Sequence, residues 1–307
     1  MEASDPIRSP APRLRIKRVA DGYVVLGKKV YAWEPTLEEA RKTREELDVP
    51  GWRHPLIPGI AGRQSRPPGA VVYGPVSSRR LGRSLGINLM RPGCSVCPFH
   101  CVYCEFPRNH CRDPFGDWPT PDAVGYALAK ALPRCGPLDS VTISGSGEPT
   151  MHPDFGAVVC CILTEVRRSP RDLKLRILTN GATAMLPEIH HALNRLDERI
   201  VTLDAAAERV DLPDAQHPLG SIVYGLSLLR DFTVQSCFID GSVSNIDDRS
   251  VREWADLVGE VQPRDVQIFT MGRRSAQVDV RPVSGAQLEE IACVLRARTG
   301  IEARVFA

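Results

Sequence analysis

Cys97, Cys101 and Cys104 stand in the spacing C-x3-C-x2-C within the segment GCSVCPFHCVYCEFPR. Three thiolates on one short loop can grip three irons of a cubane [4Fe–4S] cluster, which leaves the fourth iron without a protein ligand. An open metal position lets a substrate or cofactor coordinate, as in catalytic metal sites generally. A ferredoxin that only transfers electrons would normally supply four thiolates. Adding Cys94 gives a competing reading of another class, a non-catalytic iron–sulfur or zinc-binding protein. Zinc modules usually separate their ligand pairs by about a dozen residues, however, and the short gap between Cys97 and Cys101 is awkward for one tetrahedral ion. Unrelated structural thiols are the blandest alternative. His100 lies inside the same loop and is read as filler.

Other residues could act beside the cysteines. Ser144-Gly145-Ser146-Gly147-Glu148-Pro149 follows an apolar run. Its glycines allow a ligand close to the backbone, and Glu148 can accept a hydrogen bond from an ammonium group. In isolation the same residues would read as an ordinary βα loop. Asn180-Gly181 ends another apolar run, where Asn can bind a ligand or simply make a turn. Asp204 ends the run VTLDA; carboxylates at the ends of barrel strands are often functional. Arg79, Arg80 and Arg83 precede the first of these runs. They could contact an anionic substrate or close the bottom of the fold with ion pairs, and the sequence leaves both open.

The elements that must carry these residues follow from periodicity. Apolar runs over 85–89, 139–144, 173–179, 199–204, 233–239 and 264–269 read as strands. Helical patterns lie between them near 121–132, 154–168, 185–195, 219–230, 247–260 and 284–299. Such alternation implies βαβ units and a parallel sheet. Six units are two short of a closed (β/α)8 barrel. A partial barrel and a doubly wound sheet both remain. Ahead of this region, residues 1–12 read as a disordered tail. Two short runs, 14–19 and 23–33, flank the turn signal Asp21-Gly22. Thr36 and Glu39 then form a capping box for a helix to about Leu47. This gives a small β-β-α module over 13–49, a Pro- and Gly-rich linker over 50–70, and a main domain over 71–307.

Composition narrows the class. The chain has 307 residues, 43% hydrophobic and 25% charged, with a formal net charge of +2. About 18 Lys and Arg against about 10 Asp and Glu fall in residues 1–110, so the N-terminal third is basic. That third could meet RNA, a phosphorylated substrate or an acidic electron donor, although a solvated mixed-charge surface is the plainer reading. No apolar run nears the roughly 18 residues needed to span a bilayer, and the N-terminus lacks a secretory pattern. The expected location is cytoplasmic, with no membrane partner. Ten cysteines in a chain of this length do not suggest a disulfide framework. Cys135, Cys160, Cys161, Cys237 and Cys293 lie in apolar surroundings and are expected to be buried. Neither a Walker loop nor an HExxH motif is present.

The cysteine triad, with aromatic Tyr103 before its last member, resembles the radical S-adenosylmethionine (SAM) superfamily. The segments SSRRLGRSLGINL, ISGSGEPTMHPDF, ILTNG, VTLDA and RPVS occur in the order seen in its wyosine-synthase-related branch. This resemblance covers residues ~73–307 and implies a partial (β/α)6 TIM-like barrel. It implies a [4Fe–4S] cluster on Cys97, Cys101 and Cys104, whose open iron is chelated by SAM. Reductive cleavage of SAM then yields a 5′-deoxyadenosyl radical that acts on a substrate the resemblance does not name. Residues 144–148 would form the SAM-binding loop, with Glu148 on the amino group, and a Ser replaces one Gly of the commonest form. Tyr103 would offer its backbone to the adenine. Asn180 would meet the ribose or carboxylate, and Asp204 the ribose or substrate. A flavodoxin or ferredoxin would supply the electron. A tRNA base-modifying activity is one candidate within the branch.

Overall fold

The computed structural model describes residues 15–19, 22–26, 30–34, 71–91, 94–99, 101–104, 106, 118–204, 219–272 and 279–307. The chain divides into two units, Met1–Leu56 and Ile57–Ala307. In the first, β1 (Arg15–Val19), β2 (Gly22–Leu26) and β3 (Val30–Glu34) form an antiparallel three-stranded sheet in that order. The expected single strand over 23–33 is therefore two strands. Gly27-Lys28-Lys29 interrupts its apolar alternation, and such residues favour a turn over a pleat. The expected tail, helix and linker lie outside the described residues.

The second unit is an α/β partial barrel. Six parallel strands follow one another in chain order: β5 (Gly82–Ile87), β6 (Ser140–Ile143), β7 (Lys174–Thr179), β8 (Glu198–Thr202), β9 (Thr233–Gly241) and β10 (Asp265–Thr270). They match the six runs expected from sequence. Three further strands complete the sheet. β4 (Val72–Ser78) pairs antiparallel with β5, β11 (Val280–Pro282) pairs antiparallel with β9, and β12 (Ala303–Phe306) lies parallel to β10. The order is thus β12-β10-β9-β8-β7-β6-β5-β4. Its curl is visible in one contact. Arg80, in the turn between β4 and β5, places its guanidinium 4.0 Å from the ring centroid of Phe269 on β10, near the opposite edge.

Helices α1 (Pro121–Ala131), α2 (Phe155–Arg168), α3 (Pro187–Leu193), α4 (Leu219–Ser227), α5 (Asp248–Val261) and α6 (Gly285–Thr299) connect the strands. Their starts carry local signals. Thr120, Asp247 and Ser284 accept hydrogen bonds from the first-turn amides of α1, α5 and α6, and Ser284 with Gln287 completes a capping box. Gly300, at φ 71°, ends α6 in the left-handed conformation that glycine tolerates. Each helix lays one apolar stripe on the sheet. On α2 that stripe is Val158, Val159, Ile162, Leu163 and Val166, all buried. Cys160 falls off the stripe and is exposed; so is Cys293 on α6, while Cys135 and Cys161 are only partly buried. The expectation of five buried thiols thus holds for Cys237 alone among them, because helical phase decides burial for the rest.

The two faces of the sheet differ in chemistry. Leu85, Ile87, Val141, Ile143, Leu175, Ile177, Val201, Val234, Val266 and Ile268 join the main apolar cluster with the helices. The alternate positions are largely polar and stand in register: Thr142 beside Arg176, Arg176 beside Glu198, Thr202 beside Gln235, and Gln235 beside Gln267. They pair with one another across strands. Arg176 binds Glu198 at 2.7 Å, Gln235 donates to Thr202 at 2.8 Å, and the Ser84 and Thr142 hydroxyls lie 2.7 Å apart. A polar lumen inside an apolar jacket results.

Trp254 on α5 anchors this jacket. Its ring meets Phe238 edge-on at 4.9 Å, and its indole N–H donates to Leu203 O and Ser236 Oγ, both at 3.0 Å. Trp254→Ala is expected to destabilise the protein by about 3–5 kcal/mol, the usual cost of emptying a buried aromatic site. Urea denaturation checks this; a midpoint unchanged from wild type contradicts it.

Candidate functional site

The polar lumen opens into a cavity of about 500 Å³. Cys97, Cys101 and Cys104 line it together with Tyr103, Ser144, Gly145, Gly147, Glu148 and Asn180. Nine of the eleven residues singled out from sequence thus share one space. Ser146 and Asp204 are engaged elsewhere. Ser146 Oγ donates to Cys94 O at 3.0 Å, behind the cysteine loop. Asp204 accepts from the Tyr103 hydroxyl through Oδ2 and from Cys237 N at 2.7 Å through Oδ1.

The cysteine loop is seated by backbone contact. Glu148 N donates to Val96 O at 2.8 Å. A Cβ on Gly147 would lie 2.3 Å from Val96 O and 2.8 Å from Val96 N, closer than any side chain can stand. Glycine at 147 therefore sets how near the two loops approach. On the next strand, Gly86 leaves room for the Tyr73 ring, which would lie 2.1 Å from a Cβ there. Tyr73 crosses that gap and its hydroxyl meets Ser144 Oγ at 2.7 Å. An antiparallel strand absent from the sequence reading thus fixes the start of the Ser144–Glu148 loop.

Glu148 is the hub. Its carboxylate is 3% exposed. Oε1 accepts from Thr150 N at 3.1 Å, Thr150 Oγ1 at 2.7 Å and Thr179 Oγ1 at 2.6 Å; Oε2 accepts from Asn180 N at 2.7 Å. Burial raises its pKa above the usual carboxylate value, and these donors oppose the rise. Three of these donors crowd onto Oε1 and one onto Oε2, so Oε2, with two lone pairs, keeps one for a further donor in the cavity. Asn180 then passes the link on, its Nδ2 donating to Cys97 Sγ at 3.4 Å.

The Cys97 thiol is unfavourable as an anion without a positive occupant: burial, with the nearby Glu148 charge, pushes it up to about 12. A metal centre inverts this balance, since a coordinating thiol is deprotonated outright. Among the described residues, no three His, Cys, Asp or Glu side chains gather around one point as ligands of a single ion do. A cubane spreads three thiolates over three irons instead, so the cysteines fit a [4Fe–4S] cluster better than tetrahedral zinc. Cys94 is disulfide-bonded and so does not offer a fourth thiolate.

Across the cavity, burial holds the Tyr103 hydroxyl and the Cys237 thiol well above their usual pKa values, with Asp204 reinforcing both. Both stay protonated. Gln235, Phe269 and Phe306, which sequence reasoning did not single out, also line the cavity. Gln235 had a signal: it is a polar residue in the apolar run FTVQSCF.

Comparison with known proteins places this geometry. Residues 93–239 match the model of the Radical SAM superfamily. A UPF0026 protein of Helicobacter pylori is 32% identical over 214 residues, which cover 67% of this chain and 68% of that protein. A protein of Brachyspira hyodysenteriae named GTPase Obg is 26% identical over 239 residues, covering 75% of this chain. The chain spans 34% and 46% of the lengths of the first two curated relatives it matches. Among solved structures, Streptococcus suis SuiB bound to S-adenosylmethionine has a TM-score of 0.51 at 14% identity, over 70% of this chain and 49% of that one. At that identity the likeness shows the fold, a curled partial barrel. No helix among the described residues is long and apolar enough to cross a membrane. The chain belongs to the UPF0026 family and carries a Radical SAM superfamily domain, whose cofactors are a [4Fe–4S] cluster and S-adenosylmethionine.

Proposed function

We propose that Cys97, Cys101 and Cys104 hold the cluster and that the wall formed by Ser144, Gly145, Gly147, Glu148 and Asn180 holds SAM for reductive cleavage. One observation carries this reading: the three thiols and the buried Glu148 carboxylate line a single cavity. When bound, the cluster and SAM supply a 5′-deoxyadenosyl radical able to abstract a substrate hydrogen. The remaining work falls to the chain. Glu148 Oε2 would accept from the SAM ammonium, and its four internal donors keep the carboxylate aimed. Asn180 stabilises the Cys97 thiolate by donating to its sulfur. The apolar jacket excludes water from the lumen. A flavodoxin- or ferredoxin-type protein delivers the electron.

The wyosine-like order of motifs and the basic N-terminal third make RNA one candidate substrate class beside a small molecule. A gel shift with bulk tRNA at several salt concentrations separates this from a small-molecule substrate. Binding that ignores salt, or no binding at all, removes the RNA reading.

The catalytic reading is tested by anaerobic reconstitution with iron and sulfide, followed by assay for 5′-deoxyadenosine with dithionite. The wild type is expected to form it, and a protein that assembles its cluster yet never cleaves SAM contradicts the proposal. Cys101→Ala is expected to lose the visible cluster absorbance, because two thiolates do not retain a cubane; an unchanged spectrum would refute its role. Glu148→Gln is expected to weaken SAM binding by about tenfold or more, the worth of one charge-assisted hydrogen bond, with iron content intact. Equal affinity by calorimetry counts against it. Gly147→Ala is expected to lower cluster content by forcing Val96 away; full iron loading in that variant disproves the steric account.

A further inference from the structure

A second charged wall faces the same cavity. The turn Ser78-Arg79-Arg80-Leu81 is pinned by Ser78 Oγ, which accepts from Arg80 N and Leu81 N, each at 3.2 Å. Both arginines line the cavity. Arg80 stacks on Phe269 at 4.0 Å, and its Nη1 donates to Gln235 Oε1 at 2.5 Å. Gln235 is itself held, since its Nε2 donates to Thr202. The guanidinium is thus locked in one orientation across the lumen.

Several other arginines of this unit pair with carboxylates. Arg176, on the floor, pairs with Glu198 at 2.7 Å and donates to Leu81 O. Arg264 pairs with Asp231, and Arg298 with Asp256. Arg80 differs. Of its five N–H donors, Gln235 takes one among the described residues. Its nearest carboxylate influence, Asp204, accepts instead from Tyr103 and from Cys237 N. Burial lowers the Arg80 pKa, Arg79 adds a like charge, and Cys237, Tyr103 and Asp204 only partly offset this. A planar fork of donors, partly stripped of water and lacking a direct counter-charge, is a receptor for a bidentate anion.

We propose that Arg80, with Arg79 beside it, receives an anionic group of the substrate, a phosphate or carboxylate that enters the cavity next to Gln235. This rests on the reading of the cavity as the reaction chamber. SAM also carries a carboxylate, but in the proposed reading that group would be held at the cluster beside Cys97, whose sulfur accepts from Asn180 just past β7. Arg80 instead touches β9 and β10. Arg80 is thereby a substrate-positioning group and Gln235 its support.

The experiment uses reconstituted full-length protein saturated with SAM and titrates it with sodium phosphate, against sodium chloride of equal ionic strength. The thermal midpoint is read at each step. Wild type is expected to show a saturable rise with phosphate alone. Arg80→Gln is expected to abolish it, and Arg80→Lys to weaken phosphate binding by about tenfold, since a point charge replaces a fork. The SAM dissociation constant of Arg80→Gln is expected to stay within about threefold of wild type, as for a group that does not touch SAM. Circular dichroism verifies each fold; should Arg80→Gln misfold, Arg80→Lys and Arg79→Gln carry the comparison. An equal phosphate response in the variants, or none in wild type, overturns the proposal. A phosphate response only without SAM, with SAM binding lost in Arg80→Gln, assigns the arginine to the cofactor's carboxylate and also overturns it. 5′-Deoxyadenosine is measured on the same samples, so failure of SAM cleavage is seen separately from failure of anion binding.

Discussion

A buried carboxylate that must be satisfied on every side organises the site. Glu148 ends the β6 loop, and the short turn at Thr150 and the end of β7 each send it hydrogen bonds. Burying such a group unpaired costs several kcal/mol, so any rearrangement of these segments carries a steep penalty. The cysteine loop is attached to the same residue through its backbone, by Glu148 N to Val96 O. The cysteines of that loop are thereby referenced to the ends of two core strands. The precision of the site comes from the sheet, although Cys97, Cys101 and Cys104 lie off it.

Much of this was legible in the sequence, for identifiable reasons. The six parallel strands and six helices were readable because each strand is a short apolar run and each helix keeps one apolar stripe, as with Val158, Val159, Ile162, Leu163 and Val166. The triad was readable because its spacing alone restricts the metal chemistry. The edge strand β4 was missed, since VYGPVSS contains a Gly-Pro pair and lacks regular alternation. β12 was missed because its four residues, ARVF, are broken by an arginine and form no continuous apolar run.

Residues whose roles depend on distant partners could not be read locally. Asp204 lies two residues past the end of its strand rather than ending it, and Tyr103, 101 positions away, claims its carboxylate. Gln235 is one polar residue in an apolar stretch until Arg80, 155 positions earlier, is found against it. The polar lumen arises in the same way. Thr142, Arg176, Glu198, Thr202 and Gln235 look like scattered exceptions along the chain, and only strand register brings them to one face.

The Arg80–Phe269 contact has a bearing on how this scaffold diversifies. In a fully closed barrel, main-chain bonding between first and last strands dictates the bore. Here a cation resting on an aromatic ring spans the distance between the margins of the sheet. The aperture is consequently set by two side chains, and exchanging either one alters what fits inside while the ladder of strands stays untouched.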